Sequence, residues 1–337
     1  MHIGTEKTGT TSIQRHLFGN RQLLFEHGYA LLDSLGGFDN RQLARICMRL
    51  SRDDVPFQSN QTKSAWRKRR RNRKITKQFE KEMRSLPAAV HTVILSSEFL
   101  HSRLIHPDEV TALKKLLTPF FSDIRVLCYL RPQVDLAVSF YTTALKDGYD
   151  GNEIDAFIET FCTPENPYYN YDTLLRRYED AFGPDRIDVA LFGKENFHGG
   201  DLIPDFYRRI DPTLCETMQT HAKAPGNRNE SVSVLGQELL SLLNKHTPRL
   251  KDRKYRRLRA MIGRDFAGKG KMPTRATASA AFERFSPSNR AVSERYFPDR
   301  GCLFAFDPDR YGTVPDGIPD SERHYFDEMT RLLFTVA

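Results

Sequence analysis

Eight residues near the amino end carry the densest chemistry in the sequence: Gly4-Thr5-Glu6-Lys7-Thr8-Gly9-Thr10-Thr11. Two glycines bracket a lysine, and three hydroxyl residues, Thr10, Thr11 and Ser12, follow the second glycine. Glycines let successive backbone N–H groups turn inward as an anion nest, and a helix starting here aims its positive end at the same point. The spacing is that of a phosphate-binding loop, G-x-x-x-x-G. An ordinary βα turn explains the glycines but not the added lysine and hydroxyl run. The loop also departs from the NTPase pattern. The lysine expected after the second glycine is replaced by Thr10, and Lys7 stands inside the loop instead. No strand runs into a plain aspartate that would hold Mg²⁺. A nucleotide with less charge at its reacting end than a triphosphate suits such a loop better.

The elements that must position these residues alternate between strand and helix. His2 and Ile3 end a very short strand, and Thr10 to Phe18 reads as a helix with Ile13 and Leu17 one turn apart. Leu23 to His27 gives a further turn or two, stopped by Gly28, and Tyr29 to Leu32 is a second short strand. A long polar helix is predicted over residues 62–86, ended by Pro87. HTVILSS (91–97), IRVLCYL (124–130) and IDVALF (187–192) are apolar without alternation, as parallel strands covered on both faces should be. Helices are predicted over 107–117, 134–146 and 172–182. This predicts an α/β fold: a three-layer parallel sheet of P-loop nucleotide-binding type, with a mostly helical C-terminal extension. Residues 1–215 are expected to form the core and 216–337 a helical subdomain or lid continuous with it. At about 150 residues per domain, a chain of 337 residues agrees with two such parts. In the last third, Val232 to Leu243 marks an amphipathic helix, and Ser286-Pro287 is read as the cap and first turn of another.

HIGTEKTGTTSIQ resembles the 5′-phosphosulfate loop of the sulfotransferases that use 3′-phosphoadenosine 5′-phosphosulfate (PAPS): lysine, a small residue, glycine and two threonines. The family's second motif is an arginine just after a later strand and a serine eight residues on. YLRPQVDLAVSFY supplies Arg131 and Ser139 at that spacing. The wording EKTGTTSIQ and the later Ser96-Ser97-Glu98 are most similar to bacterial enzymes acting on glycans. The resemblance implies a donor site of Lys7, Thr8, Gly9, Thr10, Thr11 and Ser12, with Arg131 and Ser139 on the 3′-phosphate. It implies a basic late segment closing that phosphate, with Arg228 preferred over Lys269-Gly270-Lys271. It implies sulfuryl transfer to a hydroxyl of a saccharide, polysaccharide or glycolipid, with no metal. Lys7 would neutralise charge on the departing bridging oxygen. The catalytic base would stand at the carboxyl end of strand 91–97. Glu98 is the first choice there, His101 its rival, and Glu6 a lower-ranked third. The alternatives are a P-loop kinase using ATP and Mg²⁺, and a nucleic-acid-binding protein using the basic run described next.

Lysine and arginine number 51 against 43 acidic residues, giving +8, so an anionic partner is expected. Seven of the eight residues from Arg67 to Lys74 are basic. The run reads as a solvated helix face, a nucleic-acid patch, or an attractor for an anionic acceptor or the inner membrane leaflet. Aromatic interleaving stops at Trp66, which argues against a single-strand platform, and no nucleic-acid partner is expected. Five dispersed cysteines without C-x-x-C suggest buried free thiols. No run of about 18 apolar residues spans a membrane, and residues 2–12 contain no apolar leader segment. A cytoplasmic location is expected, with peripheral contact at the inner membrane face.

Overall fold

Ile13 and Leu17 stand one turn apart and both are buried, so the segment after Gly9 winds into helix α1, Thr10–Gly19. The computed structural model describes residues 1–52, 64–151, 153–222, 231–246, 253–312, 318 and 320–335. After α1 come α2 (Arg21–Glu26), β1 (Tyr29–Ala30), α3 (Arg41–Cys47), α4 (Ala65–Ser85), β2 (Thr92–Val93), α5 (Phe99–Arg103) and α6 (Pro107–Leu117). Next are β3 (Val126–Leu130), α7 (Gln133–Lys146), α8 (Ile154–Phe161), α9 (Tyr171–Phe182) and β4 (Ile187–Leu191). The chain then continues through α10 (Leu202–Ile210), α11 (Pro212–His221), α12 (Val234–His246), α13 (Arg253–Asp265), α14 (Arg275–Arg284), α15 (Ser286–Tyr296) and α16 (Asp320–Thr335). The protein is therefore mostly helical, with small parallel sheets. Ser286 lies inside α15, with Phe285 in the cap position, so the predicted serine cap is not formed.

One compact unit gathers Met1–Asp54, Thr62–Arg131 and Asn170–Arg228. Within it β1 pairs parallel with β2, and β3 pairs parallel with β4 over five residues. His2 joins the two ladders, bridging Ser96 on one side and Leu127 on the other, both in parallel. The His2 N–H donates to the Leu95 carbonyl (2.7 Å), and the Ile3 N–H donates to that of Leu127 (3.0 Å). The lateral order is β1, β2, residues 1–3, β3, β4, and the middle stretch is joined to its neighbours through the single bridge residue His2. The predicted strand 91–97 narrows to Thr92–Val93 plus the Ser96 bridge. Its outer neighbour ends at Ala30, and the Ser96 N–H is taken by the Asn40 side chain instead (2.9 Å).

Leu127 and Tyr129 of β3 share a core with Ile13 and Leu17 of α1, Phe206 and Tyr207 of α10, and Leu214 and Met218 of α11. Val126, Cys128 and Leu130 alternate to the other side of the strand and are equally buried. Tyr178 of α9 lies near Cys128, and its hydroxyl donates to the Leu100 carbonyl (2.9 Å). Burial on both sides accounts for the unbroken apolar sequence VLCYL.

The second unit contains Pro132–Tyr169 and Asn229–Ala337. Helix α7 packs against α8, α12, α13 and α14. Gln133 and Asn289 exchange amide hydrogen bonds (2.7 and 3.1 Å), and Asp135 accepts from Arg310 (2.9 Å) and Tyr311 (3.0 Å). The Asn244 amide donates to the Leu145 and Tyr149 carbonyls (both 2.8 Å). These partners fold α7 and α8 with the carboxyl-terminal helices. The compact units therefore interleave along the chain, unlike the consecutive stretches 1–215 and 216–337.

Candidate functional site

Residues 1–3, β2, β3 and β4 run parallel, so the segments leaving them emerge at one edge: the 4–9 loop, Ser96 to Glu98, Arg131 and Phe192. In open parallel sheets that edge holds ligands. Lys7 and Gly9 both adopt left-handed backbone (φ 67° and 73°), a conformation that is strained for the non-glycine Lys7. Side chains hold the loop in this shape. Thr5 Oγ1 donates to the Tyr129 carbonyl, and Thr8 Oγ1 to the Thr5 carbonyl (2.6 Å). Arg131 Nη1 donates to the Lys7 carbonyl (2.8 Å), and the Glu6 N–H donates to His101 Nδ1 (3.4 Å). The Lys7 ammonium is only half-buried and makes no hydrogen bond or ion pair among the described residues.

Thr10 Oγ1, at the start of α1, is buried and has no hydrogen-bond partner among the described residues. His2 Nε2 is in the same condition, while His2 Nδ1 pairs with Ser96 Oγ at 2.9 Å. Burial pushes the His2 imidazole down to about 3, so the ring is neutral at physiological pH. Both orphan atoms border Gly4. A Cβ built there would stand 2.7 Å from Thr10 Oγ1 and 2.8 Å from His2 Nε2. Gly4→Ala is therefore expected to cost about 1–3 kcal/mol through overpacking, read as a lowered thermal midpoint. An unchanged midpoint would show that His2 and Thr10 can move aside.

Glu98 precedes α5 at its cap position, but its side chain makes no cap hydrogen bond. Its carboxylate has no hydrogen bond or ion pair among the described residues. Among the described residues the side chain therefore forms neither a helix cap nor a salt bridge. Burial, and then repulsion from Glu6, push the Glu98 carboxyl up to about 7, although Lys7 and Arg41 oppose the shift. His101 is fully buried, and its Nδ1 faces the Glu6 N–H.

The other expected residues fall as follows. Thr8 is buried and its hydroxyl is used within the loop. Thr11 is half-buried and Ser12 exposed at the opening of α1. Arg131 closes β3, lies 5.7 Å from the Phe192 ring centroid, and has its carbonyl bonded by the Tyr171 hydroxyl (2.7 Å). Ser139 is on α7, in the other unit, and is half-buried. Arg228 lies outside the described residues. Lys271 does not fit the flexible basic turn considered for the 3′-phosphate. It is buried and ion-paired with Glu153 and Glu238, and its N–H donates to Gln237 Oε1 (2.8 Å). Residues that the sequence reading passed over include His2, Tyr171, Phe192 and Asn40. His2 had a usable signal, since it immediately precedes the loop's strand exit. Among the described residues, no group of three or more His, Cys, Asp or Glu is arranged to hold a metal ion, and no helix is long and apolar enough to cross a membrane.

No protein-family model and no curated protein matches this chain. It is similar to a solved structure described as a sulfotransferase from Alicyclobacillus acidocaldarius, at 17% identity. The match covers 75% of this chain and 96% of that one, with a TM-score of 0.35. A score that low assigns neither fold nor reaction.

Proposed function

We propose that this chain is a PAPS-dependent sulfotransferase that moves a sulfuryl group to an acceptor hydroxyl on a saccharide, polysaccharide or glycolipid. The observation that carries the reading is Glu98. Its carboxyl is unpartnered among the described residues, shifted to about 7, and electrostatically coupled to a lysine in a glycine-bracketed loop. A carboxyl poised near neutrality is a general base. The loop fits a phosphate: Thr10 Oγ1 is a buried hydroxyl lacking a partner among the described residues, and α1 begins there.

The donor would supply an activated sulfuryl group on a 5′-phosphate. The chain's own groups would do the rest. Glu98 takes the acceptor hydroxyl proton on its carboxylate oxygen. Lys7 places its ammonium against the charge growing on the leaving oxygen. The loop N–H groups from Thr8 to Thr11, with the Thr10 and Thr11 hydroxyls, bind the 5′-phosphate. Arg131 serves the 3′-phosphate through a guanidinium already anchored on the Lys7 carbonyl. His101 braces the loop at Glu6, which supports Glu98 over His101 as the base. In this reading the parallel strands form the middle of a three-layer P-loop sheet in the donor-binding core. The enzyme works in the cytoplasm.

The test is thermal shift. Adenosine 3′,5′-bisphosphate at ~100 times its Kd is expected to add about 2.7 kcal/mol of stability, with no Mg²⁺ requirement. A metal-dependent response to ATP, or a response to an oligonucleotide, with none to the bisphosphate would overturn the proposal.

A further inference from the structure

Helix α4 carries charge that the candidate site does not use. Arg67, Arg70, Lys74, Lys77, Lys81 and Arg84 follow one another at alternating spacings of three and four residues, and all six are exposed. That spacing puts them on one face of the helix. At 1.5 Å per residue they form a straight row about 25 Å long, with a cation every ~5 Å. None of the six makes an ion pair or hydrogen bond among the described residues. Arg70 lies over the ring of Trp66 (5.7 Å), which is 64% exposed. The opposite face of the helix is engaged with its own unit. Ile75 and Phe79 are buried, Lys68 donates to the Leu50 and Arg52 carbonyls (3.0 and 2.8 Å), and Glu82 accepts the Asp33 and Ser34 N–H groups (2.8 and 2.9 Å). Like charges at these spacings destabilise a bare helix, so an anionic partner along the row removes a cost the free chain bears.

We infer that this face of α4 is a docking surface for a linear acidic polysaccharide, whose carboxylate or sulfate groups on successive sugar units pair along the row. Shape decides the partner. An interfacial membrane helix buries an apolar face, whereas Ile75 and Phe79 of α4 point into the protein and Trp66 is its one large apolar side chain left exposed. A nucleic-acid duplex carries a charge every ~1.7 Å of axis on strands that wind away, so a straight row would meet a strand only briefly. An extended anionic glycan is straight and presents its charges one unit at a time. Helix α3 packs against both α4 and α5, the helix that opens at Glu98, so row and candidate base belong to one unit. Naming this glycan as the acceptor rests on the sulfuryl-transfer reading; the docking surface does not.

The test uses the full chain and three probes: a fluorescent heparin octasaccharide, vesicles of equal parts phosphatidylglycerol and phosphatidylcholine, and a short DNA duplex. Lys74→Gln/Lys77→Gln/Lys81→Gln is compared with Arg256→Gln/Arg257→Gln/Arg290→Gln, which removes equal charge from exposed positions elsewhere. Far-UV circular dichroism and thermal midpoints establish that both variants fold. The row variant is expected to weaken octasaccharide binding about tenfold or more and to flatten its salt dependence, with the control near wild type. Equal losses in both variants reduce the effect to bulk charge and overturn the inference. So does a row-specific loss confined to vesicles or duplex, or no octasaccharide binding by the wild type. Any of these outcomes leaves the bisphosphate result, and with it the proposed reaction, standing.

Discussion

Lys7→Ala is expected to lower kcat by on the order of 10²–10³-fold, the usual effect of removing one donor that meets developing negative charge. The measurement is release of adenosine 3′,5′-bisphosphate from PAPS in the presence of a polysaccharide acceptor. The fold should be nearly indifferent to the change. Lys7 is half-buried and its ammonium has no partner among the described residues. Alanine meets the same left-handed backbone penalty at φ 67°, so stability should stay within about 0.5 kcal/mol of wild type. A second readout separates chemistry from scaffolding. Lys7 is one of the groups holding the Glu98 carboxyl down against burial and Glu6, so removing it should move the acid limb of the residual pH–rate profile upward. A near-wild-type kcat would remove the loop from the mechanism. A lost kcat with a large drop in thermal midpoint would make Lys7 a structural residue.

How much of this was legible before the structure depends on how far each residue reaches. The 4–9 loop was readable because its chemistry is local: glycine spacing and the hydroxyls that follow need no distant partner. The apolar runs 124–130 and 187–192 were readable because burial on both sides removes alternation from the sequence itself. Glu98 was placed by the resemblance, which puts the base at the carboxyl end of strand 91–97, but its state required the structure, since it depends on Glu6, Lys7, Asp39 and Arg41. Lys271 shows the opposite failure. Beside Gly270 it reads as a mobile basic turn, yet its partner Glu153 is 118 residues away, and sequence spacing says nothing of that. The interleaving of the two units was hidden for a related reason. An amphipathic pattern shows that α7 buries a face, but not that Gln133 meets Asn289. Helices α10 and α11 carried signals that went unused: Asp201 and Asp211 cap them through the Ile203 and Thr213 N–H groups (3.1 and 2.8 Å).

Glu98→Gln is the most diagnostic substitution, because its effects on rate and on stability should have opposite signs. Turnover is expected to fall about 10²-fold or more, with bisphosphate binding intact, since Glu98 belongs to the acceptor side of the proposed site. For the wild type, kcat/KM should rise with pH through a limb at about 7, where the Glu98 carboxyl ionises, and the variant should lack that limb. The stability effect follows from proton linkage. The carboxyl titrates near 4.5 in the unfolded chain and near 7 in the folded one, so between these values the folded state binds more protons. Stability therefore declines as pH rises through that window, and the destabilisation is complete above about 7. Glutamine carries no charge at any pH. The variant should match wild type near pH 4 and exceed it at pH 8 by about 1–2 kcal/mol, a figure reduced for the partial solvent access of Glu98. Thermal midpoints across that pH range, paired with rates, decide the matter. A variant that is slower and also less stable at pH 8 would make Glu98 a structural carboxylate. If His101→Ala instead removes the pH limb while Glu98→Gln retains it, the base is His101. Slower turnover with a higher midpoint at pH 8 is the pattern of a group held near neutrality for chemistry at the cost of the fold.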